Sequence, residues 1–195
     1  MTTLGTQKLL AEALKKLLEE KDISKISISE LTEAAGVNRK TFYYHFRNIY
    51  ELLVWTFESE ALAVVDNFDL TTDYRSAISF IMDYLEKNER ILSRLARSHG
   101  RVEIRHFLRR DLHGIIKRNL DISLIGEEYD EDYRNFLAEF MTEAFTGVLL
   151  RWAEDPSVRD RAKLERYLSR IFEEIVRNTQ SDAPTLQSGV GDFSE

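Results

Sequence analysis

The sequence predicts an all-α protein. Its 195 residues include only two prolines and are rich in Leu, Glu, Lys, Arg and Ala, which favour helices. Apolar residues recur every three or four positions along most of the chain, as they do in amphipathic helices. The length suits one domain or two small ones, and it is sufficient to bury a core.

The first three predicted helices lie close together in the chain, and the second and third are short. The first covers about 5–21, where leucines and alanines form one apolar face. The second covers 28–35, because Ser27 and Glu30 have the spacing of a capping box and Gly36 can end a helix. Asn38 can then cap a third helix over 39–45. These segments predict an N-terminal three-helix helix-turn-helix domain, residues 1–47.

The remaining predicted helices form a C-terminal helical bundle, residues 48–178, used for dimerisation and regulation. They cover about 48–66, 73–87, 89–98, 101–120, 131–154 and 158–178. The last two have the widest apolar stripes, and two such helices in succession favour a four-helix interface with a second copy. Residues 179–195 lose this periodicity and gain Ser, Gly and Pro, so we expect a disordered tail there.

The composition excludes several classes of protein. Without cysteine, the chain has neither a disulfide scaffold nor a thiolate metal site. No apolar run approaches the ~20 residues of a membrane span, and the N-terminus lacks a secretory signal, so we expect a cytoplasmic protein. We find no phosphate-binding loop and no hydrolase or metalloprotease motif, and His106 and His113 are too far apart to share a metal. We therefore expect no enzyme activity, no cofactor and no metal site.

Charge is distributed unevenly along the chain. Residues 1–50 hold eight Lys and Arg against six Asp and Glu, a net charge of +2, whereas residues 51–195 carry −9. A mildly basic end on an acidic body is expected when only one end meets phosphate. The total of −7 argues against a general coater of nucleic acid.

The stretch "AAGVNRKTFYYHF", residues 34–46, holds cations and aromatic rings but no acid. In a helix-turn-helix, the second helix enters the major groove of DNA and neighbouring groups bind phosphates. Phe42 and Phe46 lie four apart and can anchor that helix, while the side chains around them are hydrogen-bond donors. A helix that is merely packed and solvated is the alternative, but the cap, the glycine turn and the charge distribution together favour a DNA reader.

Residues 27–53 resemble the DNA-binding domain of the TetR family of transcriptional regulators. The capped short helix, "AAGV", "FYYHF" and then a basic residue with "ELL" carry the resemblance. It implies a homodimer on a roughly palindromic double-stranded DNA operator, with a small-molecule or protein effector bound by the C-terminal helices. The DNA contacts that the resemblance implies are Ser29, Asn38, Arg39, Lys40, Thr41, Tyr43, Tyr44 and His45. The nearby cation Arg47 is predicted to join them. Three positions depart from the family pattern, because Lys40 replaces a glycine or small residue, Ile49 replaces a lysine and Thr32 replaces an alanine.

Two further sets of residues are predicted in the body. The expected dimer interface comprises Phe145, Val148, Leu149, Trp152, Leu168, Ile171, Phe172 and Ile175. Gly147 could allow close helix approach there, or it could be neutral or mark a kink. Rings that could line an effector pocket, rather than plain core, are Trp55, Phe80, Tyr84, Phe107, Phe136 and Phe140. Arginines recurring from Arg90 to Arg105 could hold an anion, although a solvated face interrupted at Gly100 is favoured.

The sequence therefore predicts a sequence-specific DNA-binding regulator, a dimeric repressor released by an effector bound in the C-terminal domain. One alternative is an activator controlled by a protein coactivator. Another is a helical interaction module that has lost DNA binding, which the missing cation at Ile49 would favour.

Overall fold

The computed structural model describes residues 3–70, 72–98, 100–123 and 130–181, with the side chains of all of these except 123 and 175–181. Every regular element in these ranges is helical, which confirms the predicted all-α class. None of the described helices combines the length and apolar character that a membrane crossing needs. The α-helices are α1 Thr3–Glu20, α2 Ile28–Ala34, α3 Arg39–His45, α4 Ile49–Phe57, α5 Ala63–Val65, α6 Tyr74–Lys87, α7 Glu89–Ala96, α8 Gly100–Ser123, α9 Glu131–Glu154 and α10 Arg161–Ser181.

Helix α1 connects the short N-terminal helices to the body. Its apolar face buries Leu10, Leu14 and Leu18 completely, and the helix packs against α2, α4 and α7. Arg94 of α7 donates a hydrogen bond of 3.1 Å to the carbonyl oxygen of Glu19, one of the free carbonyls at the end of α1. The position of α1 therefore depends on both the helix-turn-helix and the body.

The predicted helix over 48–66 contains an interruption. A π-helical turn, Glu58–Leu62, separates α4 from α5. The hydroxyl groups of Thr56 and Ser59 donate to the carbonyl oxygens of Leu52 and Thr56, at 2.8 and 3.2 Å, just before and within this turn. Such side-chain bonds compete with the regular backbone pattern, and π turns often occur at functional sites. The turn lies where the chain passes from the helix-turn-helix into the body.

The body is a layered packing of long helices. Helix α8 lies along α9, and α6 packs against α10. The recurring arginines from Arg90 to Arg105 are divided between α7 and α8, because α8 begins at Gly100. These arginines also contact different groups: Arg97 donates to the Glu154 carbonyl at 3.1 Å, and Arg105 lies 3.5 Å from the Glu143 carboxylate. These contacts link α7 and α8 to α9 and leave no continuous basic surface along the described helices.

The chain between α9 and α10 holds a short 3₁₀ turn, Pro156–Val158, capped by the Asp155 carboxylate, which accepts from the Ser157 N–H at 2.9 Å. Helix α10 then begins at Arg161 and continues to Ser181, three residues beyond the predicted end. The rest of the predicted disordered tail, 182–195, lies outside the described residues.

Candidate nucleic-acid interface

Local interactions define both ends of α2. The Ser27 hydroxyl accepts a hydrogen bond from the Glu30 N–H at 3.2 Å, so the predicted cap forms. Gly36 has a φ of 66°, a left-handed conformation that a side chain would disfavour. The chain therefore turns sharply after α2 and can direct α3 across it.

Helix α3 is anchored by its aromatic residues. Asn38 caps it, since its side-chain oxygen accepts from the Thr41 N–H at 2.8 Å. Phe42 is fully buried and Phe46 nearly so, and their ring centroids lie 6.0 Å apart. Trp55 of α4 packs edge-on against Phe46 with centroids 5.9 Å apart. Trp55 thus supports the reading helix, and its place in an effector pocket stays a prediction.

The outer face of α3 presents its polar groups to solvent. Tyr43 is 53% exposed and Tyr44 is 79% exposed, and Arg39 and Lys40 are also exposed. Neither cation forms a salt bridge with any residue that the structure describes. Ser29 of α2 is exposed as well. The anchored helix therefore presents two cations and two phenol groups, which are suitable donors to phosphate oxygens and base edges.

The other predicted contact residues differ in availability. Thr41 is half-buried, and its hydroxyl donates to the Asn38 side chain at 3.0 Å, so its proton is used within the cap. The half-buried His45 ring lies edge-on to Tyr44 at 4.9 Å. Arg47 is exposed, and its backbone N–H donates to Glu51 at 2.6 Å. The guanidinium of Arg47 thus remains at the surface beside α3, while its backbone belongs to the start of α4.

The predicted dimer residues divide between the protomer interior and its surface. Trp152 is 3% exposed, and the guanidinium of Arg159 covers it 5.3 Å from the ring centroid. Leu168 is also buried, and the Phe145 and Phe172 rings stack at 5.6 Å. The prediction that Trp152 and Leu168 contact a second copy is therefore wrong, because their side chains fill the core of one protomer. Leu149 is half-buried, Val148 and Ile171 are exposed, and the side chain of Ile175 lies outside the described residues.

The predicted effector rings divide in a similar way. Phe136 and Phe140 are 65% and 60% exposed on α9, so they lie at the protomer surface and not in its core. Tyr84 and Phe107 do line an internal cavity, and Phe80 lines a cleft outside it. Phe136 and Phe140 are exposed because the apolar stripe of α9 is wide enough to extend beyond the core onto the surface.

Two apolar cavities lie inside the body. Their volumes are about 60 and 70 Å³, and Ile81, Leu112 and Leu149 line both. Sites for drug-sized ligands usually measure ~300–1,000 Å³. Each cavity is therefore far smaller than such a ligand in this conformation. Among the described residues, no three or more metal-ligating side chains come together.

Comparisons with known proteins agree with this geometry. A family model described as "Bacterial regulatory proteins, tetR family" matches residues 10–54, which contain the helix-turn-helix. A second, described as "Transcriptional regulator C-terminal region", matches residues 73–174. The HTH-type dhaKLM operon transcriptional activator DhaS of Lactococcus lactis subsp. lactis (strain IL1403) is 31% identical over 84 residues. That match spans 43% of this chain and 45% of the relative, less than half its length.

Solved structures share the whole fold. The dihydroxyacetone kinase operon activator DhaS superposes with a TM-score of 0.61 at 21% identity, over 90% of this chain and 94% of that one. NalD, the secondary repressor of the MexAB-OprM multidrug efflux pump in Pseudomonas aeruginosa, superposes with a TM-score of 0.60 at 16% identity. The match covers 89% of this chain and 97% of NalD. A tetR-family regulator from Streptomyces coelicolor superposes with a TM-score of 0.59 at 18% identity, over 94% of this chain and 92% of that one. At these identities the likeness concerns the fold alone.

Proposed function

The chain belongs to the TetR family of transcriptional regulators, and from this premise we propose that it binds an inverted-repeat operator in double-stranded DNA as a homodimer. It is a DNA-binding transcriptional regulator, which confirms that part of the function predicted from the sequence. Each protomer would place α3 in a major groove, with the two grooves separated by about one helical repeat, ~34 Å. The family model describes bacterial regulatory proteins, and a regulator that binds bacterial DNA would work in the cytoplasm. This role requires no catalysis.

The observation that carries the proposal is the two-sided character of α3. Phe42 and Phe46 anchor its inner face, while Arg39 and Lys40 on the outer face have no acidic partner among the described residues. An unpaired arginine can donate two parallel bonds to guanine, and a lysine supplies a mobile charge. Tyr43, Tyr44 and Ser29 would donate to the phosphates on either side. Asn38 and Thr41 would position the start of the helix rather than contact phosphate.

The second copy would cover the exposed apolar residues of α9 and α10. Phe136, Phe140 and Val148 lie on α9, while Tyr167 and Ile171 lie on α10, and all five are exposed. Large exposed apolar patches on a soluble protein commonly mark interfaces. Gly147 lies on this exposed part of α9 with open space around it, so it offers room for close approach of a partner helix. This surface replaces Trp152 and Leu168 in the predicted interface.

We propose that the protein is a repressor, and that it leaves its operator when an effector binds the body. An effector would act by preferring a conformation in which the two α3 helices no longer match the operator spacing. The small cavities and the curated relative support a second candidate, an activator controlled by a protein partner. The relative is an activator by name, and cavities of about 60 and 70 Å³ leave little room for a metabolite.

A salt titration tests DNA binding directly. The affinity of the purified protein for an operator duplex, followed by fluorescence anisotropy, should fall steeply as salt rises, because each neutralised phosphate releases counterions. No measurable affinity even at low salt would support the interaction module that has lost DNA binding. Transcription in vitro from the same operator would then separate the two regulators, since a repressor lowers transcript yield alone and an activator raises it with its partner.

A further inference from the structure

A surface cleft lies where the helix-turn-helix meets the body, and we call it the junction cleft. Lys15 of α1, Glu60 of the π turn, Phe80, Tyr84 and Lys87 of α6, and Asn88 at its end line it, beside Asp83. Its volume is about 370 Å³, several times that of either internal cavity. It therefore has the size of a small-molecule site, which the internal cavities lack.

The acidic groups of the junction cleft are already paired. The two carboxylate oxygens of Glu60 accept from the Lys15 ammonium group at 2.6 and 2.9 Å, and one also accepts from the Tyr84 hydroxyl at 3.1 Å. Asp83 forms an ion pair of 2.6 Å with Arg161. Lys87, in contrast, has no acidic partner in the part of the chain that the structure describes. The unpaired charge in the cleft is therefore positive.

Tyr84 remains a hydrogen-bond donor in this cleft at any physiological pH. Burial, and secondarily the negative charge of Glu60, raise the pKa of the Tyr84 phenol far above its ordinary value. A neutral phenol keeps its proton directed at Glu60 and supports that carboxylate without adding a charge. Tyr84 consequently adds no negative charge to the cleft over the physiological range.

An apolar surface lies beside the cations. Phe80 is half-buried, and its ring centroid lies 6.3 Å from that of Phe68. Asn88 is 6% exposed, and its amide nitrogen donates to the Tyr84 carbonyl at 2.9 Å, which fixes the end of α6 at the edge of the cleft. A half-buried aromatic ring in the same cleft as two ammonium groups is an arrangement suited to an amphipathic ligand with an acidic end.

We propose that the junction cleft binds a small organic acid, with its carboxylate on Lys87 and Lys15 and its ring or other apolar part against Phe80. The acid would share Lys15 with Glu60, the contact that joins α1 to the π turn. Its effect on DNA rests on the proposed function: loosening this contact would release α1, and with it α3, from a fixed position relative to the body. Binding itself does not depend on DNA.

The test uses the full chain without DNA and follows 4-fluorobenzoate by ¹⁹F NMR. Saturable line broadening is expected, and Lys87→Met should weaken binding about tenfold or more by removing the charge-assisted bond. Lys16→Met is the matched control, because Lys16 is an exposed lysine of α1 outside the cleft, and binding should be unchanged. The uncharged analogue 4-fluorobenzamide should bind at least tenfold more weakly.

Three results would overturn the proposal: no saturable binding of 4-fluorobenzoate, equal weakening by Lys87→Met and Lys16→Met, or equal binding of the acid and the amide. Lys87 is exposed, so its replacement should leave the fold intact, and circular dichroism checks this. Phe80→Ala provides a second variant that should weaken both probes alike. Operator binding is measured separately, so a protein that binds DNA but not the acid would refute this site and leave the proposed function standing.

Discussion

The rings of Phe42 and Tyr43 lie 5.4 Å apart and almost perpendicular, with Phe42 fully buried and Tyr43 about half exposed. Phe42 and Tyr43, although adjacent in sequence, thus lie on opposite faces of α3. Phe42 holds the helix on the domain, and Tyr43 extends from it toward solvent. Substitutions at these two positions should therefore separate stability from DNA binding.

Phe42→Ala should lower the free energy of unfolding by about 3–5 kcal/mol, because it leaves a cavity under α3. Urea unfolding followed by circular dichroism measures this change. Tyr44→Ala, at an exposed ring on the same helix, is the control and should change stability by less than ~0.5 kcal/mol. A loss below about 1 kcal/mol for Phe42→Ala would mean that this ring does not anchor the helix.

Tyr43→Phe removes only a hydroxyl group, and it should weaken binding to all DNA sequences alike, by roughly tenfold if the phenol donates to phosphate. Lys40→Ala should instead change which bases are preferred, because its longer side chain can reach base edges. Affinities of both variants for matched and mismatched operators measure the difference. If Lys40→Ala weakened all duplexes by the same factor, Lys40 would be a phosphate contact.

Acid should destabilise the protein partly through Glu30. A hydrogen bond from Lys21 is the main cause that lowers the pKa of the Glu30 carboxyl. Because the pKa in the folded state is depressed, this contribution to stability is present above the ordinary pKa and is lost as pH falls through the folded value. Glu30→Gln should therefore lose less stability than the unmodified protein between pH 7 and about pH 3.

Urea midpoints at both pH values measure this effect. Glu33→Gln is the control, since Glu33 is exposed and forms no salt bridge with a described residue. It should lose as much stability in acid as the unmodified protein. An identical acid response of Glu30→Gln and Glu33→Gln would contradict the assigned role of the Lys21 contact.

Phe140→Glu should convert the dimer into a monomer, because it would bury a charge in the proposed α9–α10 interface. Sedimentation equilibrium measures the mass, and Leu4→Glu, at an exposed apolar residue of α1, is the control that should remain dimeric. DNA affinity should fall with the loss of the dimer. A Phe140→Glu variant that stays fully dimeric would place the interface elsewhere.

The helix-turn-helix could be predicted from sequence because its signals are local. Ser27 and Glu30 are three residues apart, and the Ser27 side chain accepts from the Glu30 N–H. The Asn38 side chain accepts from the Thr41 N–H at the same spacing. Gly36 takes the left-handed conformation that its position after α2 suggested. These features depend on neighbours in the chain, so periodicity and capping rules could find them.

The body was predicted less well because its details depend on distant residues. Periodicity shows that α9 has a wide apolar stripe, but it does not show which edge faces the protomer's own core. The burial of Trp152 and the exposure of Phe140 could therefore not be predicted from the sequence. The contact of Lys15 with Glu60 joins residues 45 positions apart, and no local pattern indicates it.

The central claim is that α3 reads DNA as part of a dimer, and selection from a random pool of duplexes tests it most directly. The purified protein at moderate salt should enrich an inverted repeat whose half-sites lie about one helical turn apart. A double variant, Arg39→Ala with Lys40→Ala, should enrich no such repeat while remaining folded and dimeric. Enrichment of the same repeat by that variant, or of no sequence by the folded, dimeric unmodified protein, would contradict the account.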